Sequence, residues 1–109
     1  MNKNTDKLFI IIPAYNERDN IRQVLDDWYP VIEEHAGDGE SRLVIIDDGS
    51  KDDTYSIMQA YAKEHPLFTP LTKPKGGHGA TVLYGYHYAL EHGADFVFQT
   101  DSDGQTLPS

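Results

Sequence analysis

Apolar residues along the chain fall into two alternating rhythms. Leu8-Phe9-Ile10-Ile11-Ile12 is an unbroken apolar run closed by Pro13, as expected for a strand buried on both faces. Ile21, Val24, Leu25, Trp28 and Ile32 then recur at helical spacing, with Asp and Glu between them. Pro30 falls inside that stretch, and its missing N–H predicts a kink or break near Tyr29. Gly37-Asp38-Gly39 reads as a turn. Leu43 to Ile46 is a second buried strand. Ser50 and Asp52 are placed to cap the next helix, with Asp53 at its positive end. Ile57, Met58, Tyr61 and Ala62 give that helix its apolar face. A weaker third strand is expected over Leu67 to Leu71, between Pro66 and Pro70. The loop Lys73-Pro74-Lys75-Gly76-Gly77-His78-Gly79 leads to a helix from about Ala80 to His92, with Gly93 as its C-terminal stop. The last strand, Phe96 to Thr100, runs straight into Asp101-Ser102-Asp103-Gly104-Gln105.

Strands alternating with helices imply an α/β fold, a Rossmann-like open sheet of mostly parallel strands with helices on both faces. In such sheets ligands bind outside the carboxyl ends of the strands. The polar motifs of this chain sit at those ends. Tyr15-Asn16-Glu17 follows the first strand, Asp47-Asp48-Gly49-Ser50 the second, the glycine loop the third, and Asp101 to Gln105 the fourth.

Composition narrows the choice of chemistry. The 109 residues suit one domain of modest core. With 39% apolar and 25% charged residues the balance is that of a globular chain. No apolar run approaches the roughly 20 residues of a membrane span, and Met1 to Lys7 does not read as a leader. The absence of cysteine removes disulfide, zinc-thiolate and thiol-nucleophile readings. A formal net charge of -9 disfavours nucleic acid as a partner. It also repels a phosphorylated ligand, unless a cation or backbone N–H groups intervene.

The acidic motif after the fourth strand offers that cation. In an extended stretch, residues two apart point the same way. Asp101, Asp103 and Gln105 then present two carboxylates and an amide oxygen, hard donors that suit Mg2+ or Mn2+. The plainer reading of the same residues is a polar turn that ends a strand. Of Asp47 and Asp48, adjacent and so on opposite faces, Asp48 is the candidate to accept an N–H from a base edge. Tyr15 suits a planar base at a cleft mouth. Asn16 is expected to cap the helix that follows. The glycine loop suits phosphate held by backbone N–H groups and a helix N-terminus, or serves as a plain connection. It is not a P-loop, and no Gly-x-Gly-x-x-Gly follows the first strand.

Together, Ile11 to Glu17, Val44 to Thr54, Lys75 to Gly79 and Gln99 to Gln105 resemble the family 2 glycosyltransferases, especially the dolichol- and polyprenyl-phosphate sugar transferases. The likeness runs nearly the whole chain, in order. It implies the N-terminal half of an A-type glycosyltransferase fold, with residues 1–109 as the nucleotide-sugar-binding part. It implies base contacts from Pro13, Tyr15, Glu17 and Asp48, with Lys75 nearby. It further implies a diphosphate bound through a divalent metal by Asp101 and Asp103, joined by Gln105. The donor implied is a UDP- or GDP-linked sugar, transferred with inversion to a polyprenyl phosphate or a saccharide. Members are more than twice this length, so the acceptor site and a general base are expected beyond Ser109. The chain alone is then expected to bind nucleotide with little transfer. A cytoplasmic location is implied, at the membrane face for a full-length protein. A non-catalytic nucleotide-binding module is the alternative. Asp101-Ser102-Asp103-Gly104 is also similar to the nucleophile motif of haloacid dehalogenase phosphatases, but that motif ends a first strand, and here it ends the fourth.

Overall fold

A computed structural model describes residues 7–35 and 40–101. Four strands and three helices alternate: β1 (Leu8–Ala14), α1 (Ile21–His35), β2 (Arg42–Asp47), α2 (Thr54–Ala62), β3 (Phe68–Thr72), α3 (His78–Glu91) and β4 (Phe96–Gln99). The strands form one sheet in the order β3-β2-β1-β4, and every pairing is parallel. The α/β expectation is met, including the buried apolar runs at β1 and β2.

The strand order explains why the helices divide between two faces. The crossovers from β1 to β2 and from β2 to β3 step one way along the sheet. The crossover from β3 to β4 steps back past β2 and β1. Crossovers of one hand that run in opposite directions put their helices on opposite faces. Side-chain alternation follows suit. Ile10, Ile12, Leu43 and Ile45 pack with α1 and α2. Phe9, Ile11, Val44 and Ile46 pack under Ala89 of α3. The reversal falls between β1 and β4, and a crevice opens at the carboxyl ends of the strands that flank such a switch point.

Three local details depart from the sequence expectations. Helix α1 runs through Pro30 without ending. Pro30 is on the exposed side, while buried Trp28, Tyr29 and Ile32 hold both sides of it to the core. Strand β3 lies one residue later than expected, at Phe68–Thr72, and passes through Pro70, opposite Ile45. A proline is tolerated there because β3 is an edge of the sheet. Helix α3 starts two residues earlier than expected, at His78. Its end is as expected: Gly93 has φ +77°, with Gly93 N–H donating to Leu90 O and Ala94 N–H to Ala89 O, a Schellman stop. Gly37 to Gly39 lies outside the described residues.

Candidate functional site

Two loops at the crevice are laced together before any pocket forms. Asn16 adopts φ +51°, a left-handed conformation that Asn tolerates better than most residues. Its N–H donates to Ser50 Oγ at 2.8 Å, and its Oδ1 accepts from Lys51 N–H at 2.8 Å. Glu17 N–H donates to Thr54 Oγ1 at 2.9 Å. Asn16 therefore braces the loop after β2 and does not cap α1. The N–H groups of Asn20 and of Ile21, the first residue of α1, go to Glu17 O instead. Ser50 is likewise used by Asn16 and does not cap α2. Asp52 does: its Oδ1 accepts from Thr54 N–H at 2.9 Å and from the Thr54 hydroxyl. Burial raises the Asp52 pKa, but the bonds from Thr54 and Arg18 outweigh it and hold it below the usual carboxylate value. This lacing fixes where Tyr15 and Glu17 stand.

Asp48, at the end of β2, is the organising group of the next loop. Its N–H donates to Ala14 O at 2.8 Å. Its Oδ1 accepts from Lys73 Nζ at 2.8 Å and from Gly76 N–H at 2.8 Å. Its Oδ2 accepts from Gly77 N–H at 2.9 Å, with Lys75 Nζ at 3.8 Å. Burial works to raise its pKa, yet these donors and the Thr81 hydroxyl prevail and hold it at about 2. Two glycine N–H groups that the sequence offers to a phosphate are thus committed to the protein's own carboxylate. A carboxylate has roughly four acceptor positions. The Lys73 ammonium and the two glycine N–H groups take three of them, and the Thr81 hydroxyl lies against the carboxylate as well, so a ligand N–H has at most one position to compete for. Asp47 turns the other way, accepting from the Ser50 N–H and the Thr72 hydroxyl.

Pro13, Ala14, Tyr15, Glu17, Asp48, Lys75, His78, Thr81 and Asp101 line one open pocket of about 260 Å³. All six described residues named from the sequence (Pro13, Tyr15, Glu17, Asp48, Lys75 and Asp101) are in this wall. Lys75 Nζ lies 4.3 Å from the centre of the Tyr15 ring, within cation–π range. Asp101 follows β4 with its side chain 47% exposed. Its Oδ1 accepts from Gln99 Nε2 at 3.2 Å and lies 3.8 Å from His78 Nε2. The volume is below the roughly 300–1,000 Å³ of enclosing ligand clefts. These walls therefore hold part of a large ligand and leave the rest open.

Asp103 and Gln105 lie outside the described residues. Among the described residues, no group of three or more His, Cys, Asp or Glu is arranged to hold a metal. What the described wall supplies is two carboxylates that are not buried, Glu17 and Asp101, of which Asp101 stands at the end of β4. It also supplies a charge balance that suits a cation. By formal charge the wall holds three carboxylates, Glu17, Asp48 and Asp101, and one lysine, Lys75, with Lys73 set against Asp48 behind it. A divalent ion fits this wall chemically, and an unaccompanied diphosphate fits it poorly.

Sequence reasoning did not single out Lys73 or Thr81, and it gave His78 a minor place. A lysine beside a glycine loop reads as solvated. Nothing in the sequence shows that the Lys73 side chain is 13% exposed against an Asp48 that is 5% exposed. Thr81 carries a faint signal, four residues after Gly77 in a first helical turn, where its hydroxyl donates to Gly77 O at 2.8 Å.

The fold has counterparts of known identity. A solved mannosyltransferase from Pyrobaculum calidifontis, in complex with GDP-Man and Mn2+, superposes with a TM-score of 0.68 at 28% identity, over 92% of this chain and 29% of that one. A dolichyl-phosphate beta-glucosyltransferase of Trichomonas vaginalis is 34% identical over 100 residues, covering 88% of this chain and 29% of the relative. A UDP-N-acetylglucosamine--dolichyl-phosphate N-acetylglucosaminyltransferase of Methanococcus voltae is 36% identical over 118 residues, covering 94% and 44%. The chain thus spans less than half the length of these relatives. The family model for Glycosyl transferase family 2 matches residues 9–109, and the chain belongs to that family of sugar transferases.

Proposed function

We propose that this chain carries the nucleotide-sugar site of a polyprenyl-phosphate sugar transferase. The convergence of Pro13, Tyr15, Glu17, Asp48, Lys75 and Asp101 on one pocket wall at the switch point of the sheet carries this reading. The base lies against Tyr15 and Pro13, and Asp48 accepts one N–H from its edge. The diphosphate lies toward Lys75 and Asp101. Asp101, with Asp103 and Gln105, holds a divalent ion; Mn2+ and Mg2+ both suit these oxygen donors. Such an ion supplies neutralisation of the charge that gathers on the leaving diphosphate.

The chain's own residues then orient the donor. Lys75 is anchored between the Tyr15 ring and Asp48, so its ammonium is held at the pocket mouth at little further entropic cost. In the transfer, an acceptor oxygen forms a bond to the anomeric carbon while the bond from that carbon to the diphosphate breaks, and configuration inverts. The acceptor site and any general base belong to the longer form represented by the relatives. Residues 1–109 alone bind donor and transfer little.

Support comes from the relatives that act on dolichyl phosphate and from the neighbour bound to GDP-Man and Mn2+. No described helix is long and apolar enough to cross a membrane. Calorimetry with UDP and GDP, each with and without Mn2+, is the test. Metal-dependent binding of one nucleotide is expected. A folded chain that binds neither in the presence of Mn2+ would defeat the proposal.

A further inference from the structure

The Lys73 side chain is absent from the pocket wall, yet it touches the group on which the wall depends. Lys73 Nζ bonds Asp48 Oδ1 at 2.8 Å and Pro74 O at 2.7 Å, and Lys73 N–H donates to Asp47 O at 3.0 Å. Both side chains of the Lys73–Asp48 pair are nearly buried, at 13% and 5% exposed. The loop closes tightly over them at Gly76 and Gly49, while a Cβ at Gly77 would meet nothing within 4 Å. A Cβ at Gly76 would lie 2.8 Å from Lys73 Nζ, and a Cβ at Gly49 would lie 2.7 Å from the Lys75 backbone N. The loop is therefore folded around an internal anion, with the Gly76 and Gly77 N–H groups on one side and the Lys73 ammonium on the other. Lys75 sits between them in sequence and is the residue this loop delivers to the pocket.

We propose that Lys73 is a positioning residue of the nucleotide site: by pinning Asp48 it sets the glycine loop, and through the loop it sets Lys75 over Tyr15. A buried carboxylate needs a paired charge to stay ionised. With the ammonium removed, Asp48 holds the two loop N–H groups less firmly and its side chain is free to turn. The loop then opens at Gly76 and Gly77 while the strands beneath remain intact. The effect on nucleotide affinity rests on the function proposed above; the effect on the loop does not.

The 109-residue chain is compared with Lys73→Met, which keeps the stem and removes the charge, and with Lys73→Arg, which keeps it. Hydrogen exchange by NMR is followed at the Gly76 and Gly77 amides, with Ile11 and Ile45 as references in the sheet. The Asp48 carboxyl is titrated in the same samples. Lys73→Met is expected to speed exchange at Gly76 and Gly77 by roughly tenfold or more, the loss of one charged hydrogen bond. Ile11 and Ile45 should be unmoved and the Asp48 titration should shift upward. Lys73→Arg should restore most of the protection. With Mn2+ present, nucleotide affinity should fall in the methionine variant and recover in the arginine variant. Unchanged loop exchange in Lys73→Met, or acceleration spread equally to Ile11 and Ile45, would overturn the proposal. If the methionine variant does not fold, Lys73→Gln gives the same comparison with the charge removed and an NH2 donor group retained. If no form binds nucleotide but the exchange pattern is as stated, the loop role stands and the nucleotide reading fails.

Discussion

Gly85 sits where α3 presses on the sheet, and replacing it with alanine should lower stability even though alanine is the better helix former. The buried stripe of α3 is Thr81, Gly85 and Ala89, one small residue per turn, so the helix rides close to the strands. A Cβ at Gly85 would overlap Ile11 Cγ2 and lie 2.9 Å from Ile46 Cδ1. Ile11 and Ile46 are both 0% exposed, so neither has space to withdraw into. Glycine to alanine in a helix interior ordinarily gains about 1 kcal/mol. Forcing extra atoms into a filled core costs roughly 1–3 kcal/mol, and with two fully enclosed neighbours the upper part of that range applies. The net expected loss is about 1–2 kcal/mol, or some 5–15 °C in Tm for a domain of this size. Gly79, in the first turn of the same helix, meets nothing within 4 Å. Gly79→Ala should therefore be neutral or stabilising by up to about 1 kcal/mol. Urea unfolding of both variants gives the comparison through their midpoints at a common m value. A Gly85→Ala protein as stable as the parent would show that α3 does not rest on Ile11 and Ile46 as described. Because α3 also carries Thr81 and His78 to the pocket, the same variant should weaken nucleotide binding.

Further expectations follow from single groups. The Asp48 pKa is held at about 2 in the folded chain against 3.8 for an unconstrained carboxyl. Its contribution, about 2 kcal/mol, is fully present above about pH 5 and is lost as pH falls from about 4 toward 2. Asp48→Asn should lower stability at pH 7 and flatten that acid limb, measured by urea unfolding across pH; a limb of unchanged slope would count against the clamp. Lys75→Ala removes one cation at the pocket mouth and its contact with Tyr15, and calorimetry should show nucleotide binding weakened by roughly tenfold with folding stability little changed. Leu90 is 69% exposed, so Leu90→Lys should leave unfolding within about 0.5 kcal/mol of the parent. A larger loss in urea unfolding would mean that this helix face is covered.

Much of this organisation was legible because it rests on strong, local signals. The runs at β1 and β2 are uninterrupted and apolar, and only strands covered on both faces read so. The polar motifs stand immediately after those runs, and a parallel sheet gathers such positions at one edge. That is why Pro13, Tyr15, Glu17, Asp48, Lys75 and Asp101 could be named together before their shared pocket was seen. What stayed hidden were pairings across the chain. Asn16 looked like a cap for α1, yet its partners Ser50 and Lys51 are 34 and 35 residues away. The glycine loop looked open to phosphate because nothing in its sequence shows that Asp48 occupies the Gly76 and Gly77 N–H groups. The burial of Lys73 against Asp48 was hidden for the same reason. Pro30 looked like a helix breaker, because local chemistry sees the lost N–H and does not see the packing of Trp28, Tyr29 and Ile32 on either side of it. Asp103 and Gln105 remain a reading of sequence alone, since they lie outside the described residues.

The most direct measurement uses the paramagnetism of Mn2+ to locate the ligand. Amide spectra of the chain are recorded with UDP or GDP, first with Mg2+ and then with substoichiometric Mn2+. Broadening should centre on Asp101 and His78 and reach Lys75 and Tyr15, the residues that share one wall, and Asp101→Asn should abolish it. Broadening centred elsewhere, or none in a folded chain saturated with nucleotide, would contradict a metal-bridged diphosphate at this pocket.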